Sequence, residues 1–250
     1  MLKPGTCCLF VCSVLSAFYS LSVSIKASGL KFETTTYSPG NADTISYPAR
    51  LQIIHTIKDY NNLIAQKPDH KLVELITLIP DLDLDIRYAG TNNFMHTAVY
   101  PSARAFLALA AAKKLQEVED ELSHQGLGLI IYDAYRPYQV TLKIFDLVKD
   151  SDYAASGKTG SRHNRGCAVD LALVRKSDGK IIEMPTQFDS FSKTAHSDYL
   201  PLNETALKNR NLLKNILERH GFTELKTEWW HFDFTGWKDF PLLDIQFESL

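Results

Sequence analysis

Cysteine is nearly missing from the body of this chain. Of its four cysteines, Cys7, Cys8 and Cys12 fall close to the N-terminus and only Cys167 remains beyond them. No intramolecular disulfide can therefore staple the body, whatever the redox compartment. Runs of basic residues interleaved with aromatics are also missing, and the formal charge is only -2, so a nucleic-acid binder is not expected. From residue 51 to residue 250 there is no internal repeat, no low-complexity tract and no second composition regime, which leaves a single domain as the simplest organisation.

What is present is ordinary for a soluble globular protein: 250 residues, 45% apolar and 22% charged, ample for one sizeable core. The N-terminus departs from that average. One lysine in MLKPGT precedes the uncharged run CCLFVCSVLSAFYSLSVS, with Ser22, Ser24 and Ala27 as small residues near a candidate cleavage point. Residues 1–27 are thus expected to form a secretory signal, an uncleaved N-terminal anchor being the competing reading. The mature chain is expected to be periplasmic or secreted, without stable membrane association once the leader is removed. Leu9-Phe10-Val11 ahead of Cys12 offers no small residue, so a lipid-modified cysteine is not expected. Residues 28–50 are polar and turn-rich and read as an irregular arm, which leaves 51–250 as the functional domain.

Within that domain the hydrophobic periodicity sets the elements. Residues 72–79 read as extended and broken at Pro80, and Leu82, Leu84 and Ile86 alternate with charged residues as a strand does. A helix is predicted over 101–122, a strand over 126–135, and a short helix from about Tyr138 to Lys149. CAVDLALV and KIIEM flank Asp178-Gly179, a strong hairpin signal. A helix over 203–221 carries Asn203 as N-cap and Gly221 just past its end, and FTELKTEWWHFDFTGW follows with His231 inside a strand. Hairpins and helices alternate without a βαβ rhythm, which predicts an α+β fold: a mainly antiparallel sheet with flanking helices.

Asp170 raises the chemical question. It stands inside the apolar run CAVDLAL, and a buried carboxylate is costly unless a cation meets it. A metal ion is one such cation, and zinc takes imidazole nitrogen and carboxylate oxygen. His163 precedes Asp170 in a loop containing Gly166, which lets the chain bend back over the strand start. Ala168 and Ala172 share the Asp170 face and leave room around it. His231 is the best third donor, whereas His55, His70, His124 and His220 sit in polar or helix-end settings expected to be solvated, and His96 and His196 in loops. Glu228 could act as a general base for peptide hydrolysis, but it shares a face with His231 only if the strand twists or bulges between them. Arg136, in DAYRP, is a candidate for stabilising an oxyanion; the alternative is an arginine paired with Asp133 or a surface acid. Spacing alone leaves open whether His163, Asp170 and His231 bind a metal or form a satisfied core network. Cys167 opens the strand and reads as a small buried residue rather than a nucleophile.

Taken together, IRYAGTNNF, DAYRP, SRHNRGCAVDLAL, MPTQFDSF and EWWHFDF resemble, in this order, the D-alanyl-D-alanine dipeptidase (VanX-like) branch of the zinc D,D-peptidases. The resemblance spans roughly residues 70 to 235 and implies a hedgehog/D,D-peptidase-like fold. It implies one zinc ion on His163, Asp170 and His231, Glu228 as general base and Arg136 at the oxyanion. Tyr88, Ser161 and Asp189 match positions that hold the substrate, the dipeptide D-Ala-D-Ala. A peptidoglycan D,D- or L,D-carboxypeptidase or endopeptidase, and a non-catalytic zinc-binding module, are the alternatives on the same scaffold.

Overall fold

The computed structural model describes residues 51–148 and 159–250; the expected leader (1–27) and arm (28–50) lie outside them. β1 (Ile53–Ile54) leads into α1 (Ile57–Gln66), where the Thr56 hydroxyl accepts from the Asp59 amide and so satisfies one of the first-turn donors. β2 (Leu72–Glu74) is followed by one helical turn, α2 (Leu75–Leu78), and by the short β3 (Asp83–Leu84). Residues 72–79 are therefore extended only at their start, against expectation. The Ile79 amide donates to Leu75 O (2.8 Å) and the Thr77 hydroxyl to Glu74 O (2.7 Å), closing a turn over the buried Leu75. The alternation over 82–87 yields only β3, because 87–89 wind into a 3-10 turn that buries Tyr88.

β4 (Phe106–Ala108) corrects a second expectation. The helix predicted over 101–122 starts only at α3 (Leu109–Ser123), since residues 106–108 pair antiparallel with β2. Phe106 and Leu107 are buried in that pairing, and tertiary packing overrides the helix propensity of the surrounding alanines. α3 then buries Ala111, Ala112, Leu115, Val118 and Leu122, a single stripe at helical spacing.

The main sheet takes up β5 (Leu127–Asp133) and, after α4 (Tyr138–Val148), β6 (Ala168–Arg175) and β7 (Lys180–Ile181). α5 (Glu204–Arg219), capped by Asn203 as predicted, leads to β8 (Phe222–Leu225) and β9 (Glu228–Phe234), and β10 (Leu242–Leu243) pairs with β1. The strand order is β3-β5-β6-β9-β8, with β7 against the far end of β6; within this sheet only the β3–β5 pair is parallel. The fold is thus α+β with a mainly antiparallel sheet. Among the described residues no helix is long and apolar enough to cross a membrane.

Two features of this sheet position the chemistry. β6 is buried from Ala168 to Val174, and Cys167 just before it is a core residue. Asp133 lies opposite Asp170, and Asp170 opposite His231, so three neighbouring strands present these side chains in one row. The row needs a bulge. Ile131 faces Leu171 but Asp133 faces Asp170, so Tyr132 is an extra residue that re-aims the end of β5.

Gly166 closes the loop ahead of β6 with φ +63°, and a Cβ there would lie 2.5 Å from Leu72 Cδ2 and 2.9 Å from the Ala108 backbone nitrogen. Its carbonyl accepts from that same Ala108 amide (2.9 Å). The glycine therefore serves close backbone approach as well as the bend. Gly166→Ala is expected to destabilise the protein by about 2 kcal/mol or more, through left-handed strain and the clash with β4; denaturant unfolding of both proteins checks this.

Candidate metal centre and active site

His163 opens a 3-10 turn (His163–Arg165) whose geometry is fixed by short-range polar contacts. The His163 amide donates to the Ser161 hydroxyl oxygen (3.2 Å) and the Ser161 amide to Asn164 Oδ1 (2.7 Å). Asn164, fully buried, donates through Nδ2 to Arg136 O (2.8 Å) and to the Thr141 hydroxyl (2.7 Å). The Arg136 amide returns a bond to His163 O (3.1 Å). DAYRP and SRHNRG, distant in sequence, are thereby held as one rigid piece.

Across the sheet row, His163 Nε2 lies 3.2 Å from His231 Nδ1, His231 Nδ1 lies 2.9 Å from Asp170 Oδ1, and His163 Nε2 lies 3.5 Å from the same oxygen. All three groups are buried, and their donor atoms lie within 4.8 Å of one another. The outward nitrogens determine the tautomers. His163 Nδ1 faces the Ala134 carbonyl at 2.7 Å, an oxygen that can only accept, so the proton sits on Nδ1. His231 Nε2 likewise donates to Asp233 Oδ1 at 3.0 Å. With both rings neutral, the inward nitrogens carry lone pairs that converge on a carboxylate oxygen. Three acceptors at such distances repel unless a cation sits among them.

The electrostatics show the same demand for positive charge, here met by the imidazoles themselves. Burial works against charge on Asp170, yet His163 and His231 outweigh it and hold the carboxyl far below its usual range. Burial likewise opposes a charge on His231, but the Asp170 and Asp233 carboxylates pull it well above its ordinary value. The cluster demands positive charge. Two imidazoles and a carboxylate at tetrahedral-ligand spacing, each imidazole oriented by an acceptor behind it, fit a zinc ion.

Glu228 joins the group through a second irregularity. β9 pairs Phe232 with Glu224 but Glu228 with Leu225, so β9 carries three more residues than β8 across that step. This bulge brings Glu228 Oε2 to 3.8 Å from His231 Nδ1, where an ideal strand would have turned it away. Burial raises the Glu228 carboxyl above its ordinary value; His231 opposes this and Asp170 adds to it.

Arg136 realises the pairing foreseen as the alternative without leaving the site. Its Nε (3.0 Å) and Nη2 (2.5 Å) donate to Asp133 Oδ2, while Tyr100 donates to Asp133 Oδ1 (2.6 Å). The guanidinium also lies 5.3 Å from the centroid of the Tyr88 ring. Tyr88 donates its hydroxyl to Asp189 Oδ1 (3.2 Å). Asp189 adopts φ +59°, rare for a residue with a side chain, and its Oδ2 is buried with no hydrogen-bond partner. Burial first, then the Asp170 charge, push the Asp189 carboxyl well above its ordinary value.

Some site residues escaped the sequence reading. Asp233 orients His231, Asn164 staples the His163 loop, and Arg162 approaches Asp233 at 3.5 Å. Asp233 stands two residues after His231 on the same strand face, a period-two signal that could have found it. Two histidines also differ from expectation. His70 is buried and stacks on Phe240 at 4.1 Å, and His220 bridges Glu117 (3.2 Å) and Glu121 (2.8 Å).

A buried two-histidine, one-carboxylate donor set with an adjacent raised glutamate, on an α+β sheet, is the architecture of a metal-dependent hydrolase. Residues 68–247 match the peptidase M15 family, described as D-ala-D-ala dipeptidase, and the chain belongs to that family of enzymes. It is similar to the D-alanyl-D-alanine dipeptidase of Escherichia coli K12, 36% identical over 177 residues, covering 71% of this chain and 91% of the relative. It is also similar to the D-alanyl-D-alanine dipeptidase of Enterococcus faecium, 29% identical over 59% of this chain and 83% of that one. Among solved structures, a vancomycin-resistance D,D-pentapeptidase in complex with Zn(II) aligns with a TM-score of 0.37 and 16% identity, over 55% of this chain and 77% of that one. That likeness is too distant to bear on mechanism.

Removing the acceptor behind His231 tests the donor set. Asp233→Ala is expected to weaken metal binding about 10- to 100-fold, read by chelator competition on the purified protein.

Proposed function

We propose that the chain is a zinc-dependent dipeptidase that hydrolyses D-alanyl-D-alanine to two molecules of D-alanine. The observation that carries the reading is the convergence of His163, Asp170 and His231 within 4.8 Å, with Glu228 Oε2 3.8 Å from His231 Nδ1. The family and the names of the relatives support the substrate. Zinc, when bound to these three residues, supplies a Lewis acid that polarises the scissile carbonyl and acidifies the attacking water.

The chain's own groups do the rest. Glu228, its basicity enhanced by burial, accepts the proton of the attacking water as the new C–O bond forms. Arg136, fixed by Asp133, keeps further N–H groups to offer the developing oxyanion. As the tetrahedral centre collapses and the C–N bond breaks, Glu228 returns the proton to the leaving amine. No proton is left over.

Asp189 supports a dipeptide over a longer chain. Burial disfavours the Asp189 charge and its Oδ2 has no partner among the described residues, so the free ammonium of a dipeptide would supply both a donor and the cation that lets the carboxyl ionise. A pentapeptide, cleaved at its far end, presents a neutral amide there and leaves the oxygen uncompensated. Tyr88 steadies the other Asp189 oxygen. Ser161 is assigned to the same pocket by resemblance; its oxygen accepts from the His163 amide, and its own O–H is a donor for the substrate. The leader adds a proposal about place: export would put this hydrolysis outside the inner membrane.

Glu228→Gln is expected to retain one zinc per chain while kcat for D-Ala-D-Ala falls by about 10²–10⁴. Metal analysis beside an assay of released D-alanine checks it. Activity close to wild type would take Glu228 out of its role, and equal rates on dipeptide and pentapeptide would replace the dipeptidase reading with a carboxypeptidase.

A further inference from the structure

Two loops meet at the ammonium end of the proposed site, and they meet twice. One follows Tyr88 and carries Phe94; the other runs through Phe188, Asp189 and Phe191. The first contact is polar and inner: the Tyr88 hydroxyl on Asp189 Oδ1, with Tyr88 only 4% exposed and the second Asp189 oxygen sealed from solvent. The second is aromatic and outer: Phe94 and Phe191 meet edge to face with centroids 5.0 Å apart, and Phe191 remains 39% exposed. Phe94 also meets the Tyr88 ring edge-on at 6.3 Å, so the aromatic pair continues outward from the polar one.

The first loop is stiff enough to hold Phe94 in place. Asn93 ties it from within, donating through Nδ2 to Arg87 O (3.1 Å), Gly90 O (2.8 Å) and Thr97 O (2.9 Å) and accepting from the Met95 amide (2.9 Å). The second loop is anchored by Phe188, which stacks on Tyr132 at 4.7 Å and meets Trp230 edge-on at 5.5 Å. Phe94 packs against the core on its inner side, while Phe191 leaves much of its surface in water two residues from a buried carboxyl on a positive-φ backbone.

We infer that Phe94 and Phe191 form the outer wall of the ammonium subsite and set substrate length by blocking any residue attached to the amino end. The inference rests on the proposed dipeptidase reading. A dipeptide ends at Asp189, and a third residue on its amino side has to cross the position of the aromatic pair. The wall thus acts by volume, where Asp189 acts by charge. The two filters are separable, because an acetyl cap and an extra residue both place a neutral amide at Asp189, and the larger extension also reaches the aromatic pair.

The test compares kcat/KM for D-Ala-D-Ala, its N-acetyl form and Gly-D-Ala-D-Ala in the zinc-loaded wild type, Phe191→Ala, Phe94→Ala/Phe191→Ala and Phe191→Tyr. The tripeptide-to-dipeptide ratio is expected to rise about tenfold or more in Phe191→Ala, further in the double variant, and not in Phe191→Tyr. The N-acetyl ratio should stay low throughout, because Asp189 still lacks its cation. An unchanged tripeptide ratio in variants whose melting temperatures match wild type overturns the wall while leaving the dipeptidase reading intact. A wild type that already takes the tripeptide as well as the dipeptide overturns the wall and the length preference of the dipeptidase reading together. A zinc-loaded wild type that cleaves no dipeptide overturns the reading and the wall with it.

Discussion

Everything in this site follows from three buried groups that need positive charge between them. His163 and His231 each give their hydrogen to an oxygen behind the ring, so both present lone pairs to the carboxylate of Asp170. In a dry interior such a set is unstable by itself, and the surrounding fold has to hold it together until a cation enters. The central strand is accordingly buried along nearly its whole length, and the His163 loop is tied to the end of β5 through Asn164 and Arg136. A looser scaffold would let the acceptors separate and relax into hydrogen bonds with water.

The charge balance extends the same argument outward. Five carboxyl groups, from Asp133, Asp170, Asp189, Glu228 and Asp233, surround the centre, and among the described residues the guanidiniums paired with them are Arg136 on Asp133 and Arg162 on Asp233. Acidic groups are in excess, and they are distributed. The Asp170 end requires a cation to be bound, while the Asp189 end has an oxygen with nothing to accept from. The same region therefore draws positive charge at two separate points, in keeping with the proposed metal at one and the proposed ammonium at the other.

Much of this was legible in the sequence because it is local. A carboxylate inside CAVDLAL, a histidine in a glycine-bearing loop and a histidine amid aromatics in EWWHFDF each declare themselves within a dozen residues. The helix caps were legible for the same reason, as at Asn203. What was not legible depends on pairing between distant strands. The extra residue Tyr132 on β5 and the three-residue excess on β9 have no local signature, yet they decide where Asp133 and Glu228 point. The residues of β4 were hidden too, since alanine-rich sequence favours helix until β2 offers a partner. His70 belongs with these: its neighbours in sequence are polar, and Phe240, far along the chain, stacks on it.

The bulges also explain how one antiparallel sheet can carry a hydrolytic site at all. In a regular sheet, side chains on one face of neighbouring strands line up pairwise, which gives rows but not convergence. Asp133, Asp170 and His231 use such a row. A base approaching from the same strand as His231 cannot, because an odd spacing sends it to the other face. The register shift between β8 and β9 breaks that alternation at one place and leaves the rest of the strand in register with β6. Trp229 and Trp230, within the irregular step, are almost completely buried, so large apolar side chains anchor the segment. Aromatic bulk beside Glu228 thus packs the departure from strand geometry, and the carboxyl is held beside His231, where the proposed proton exchange needs it.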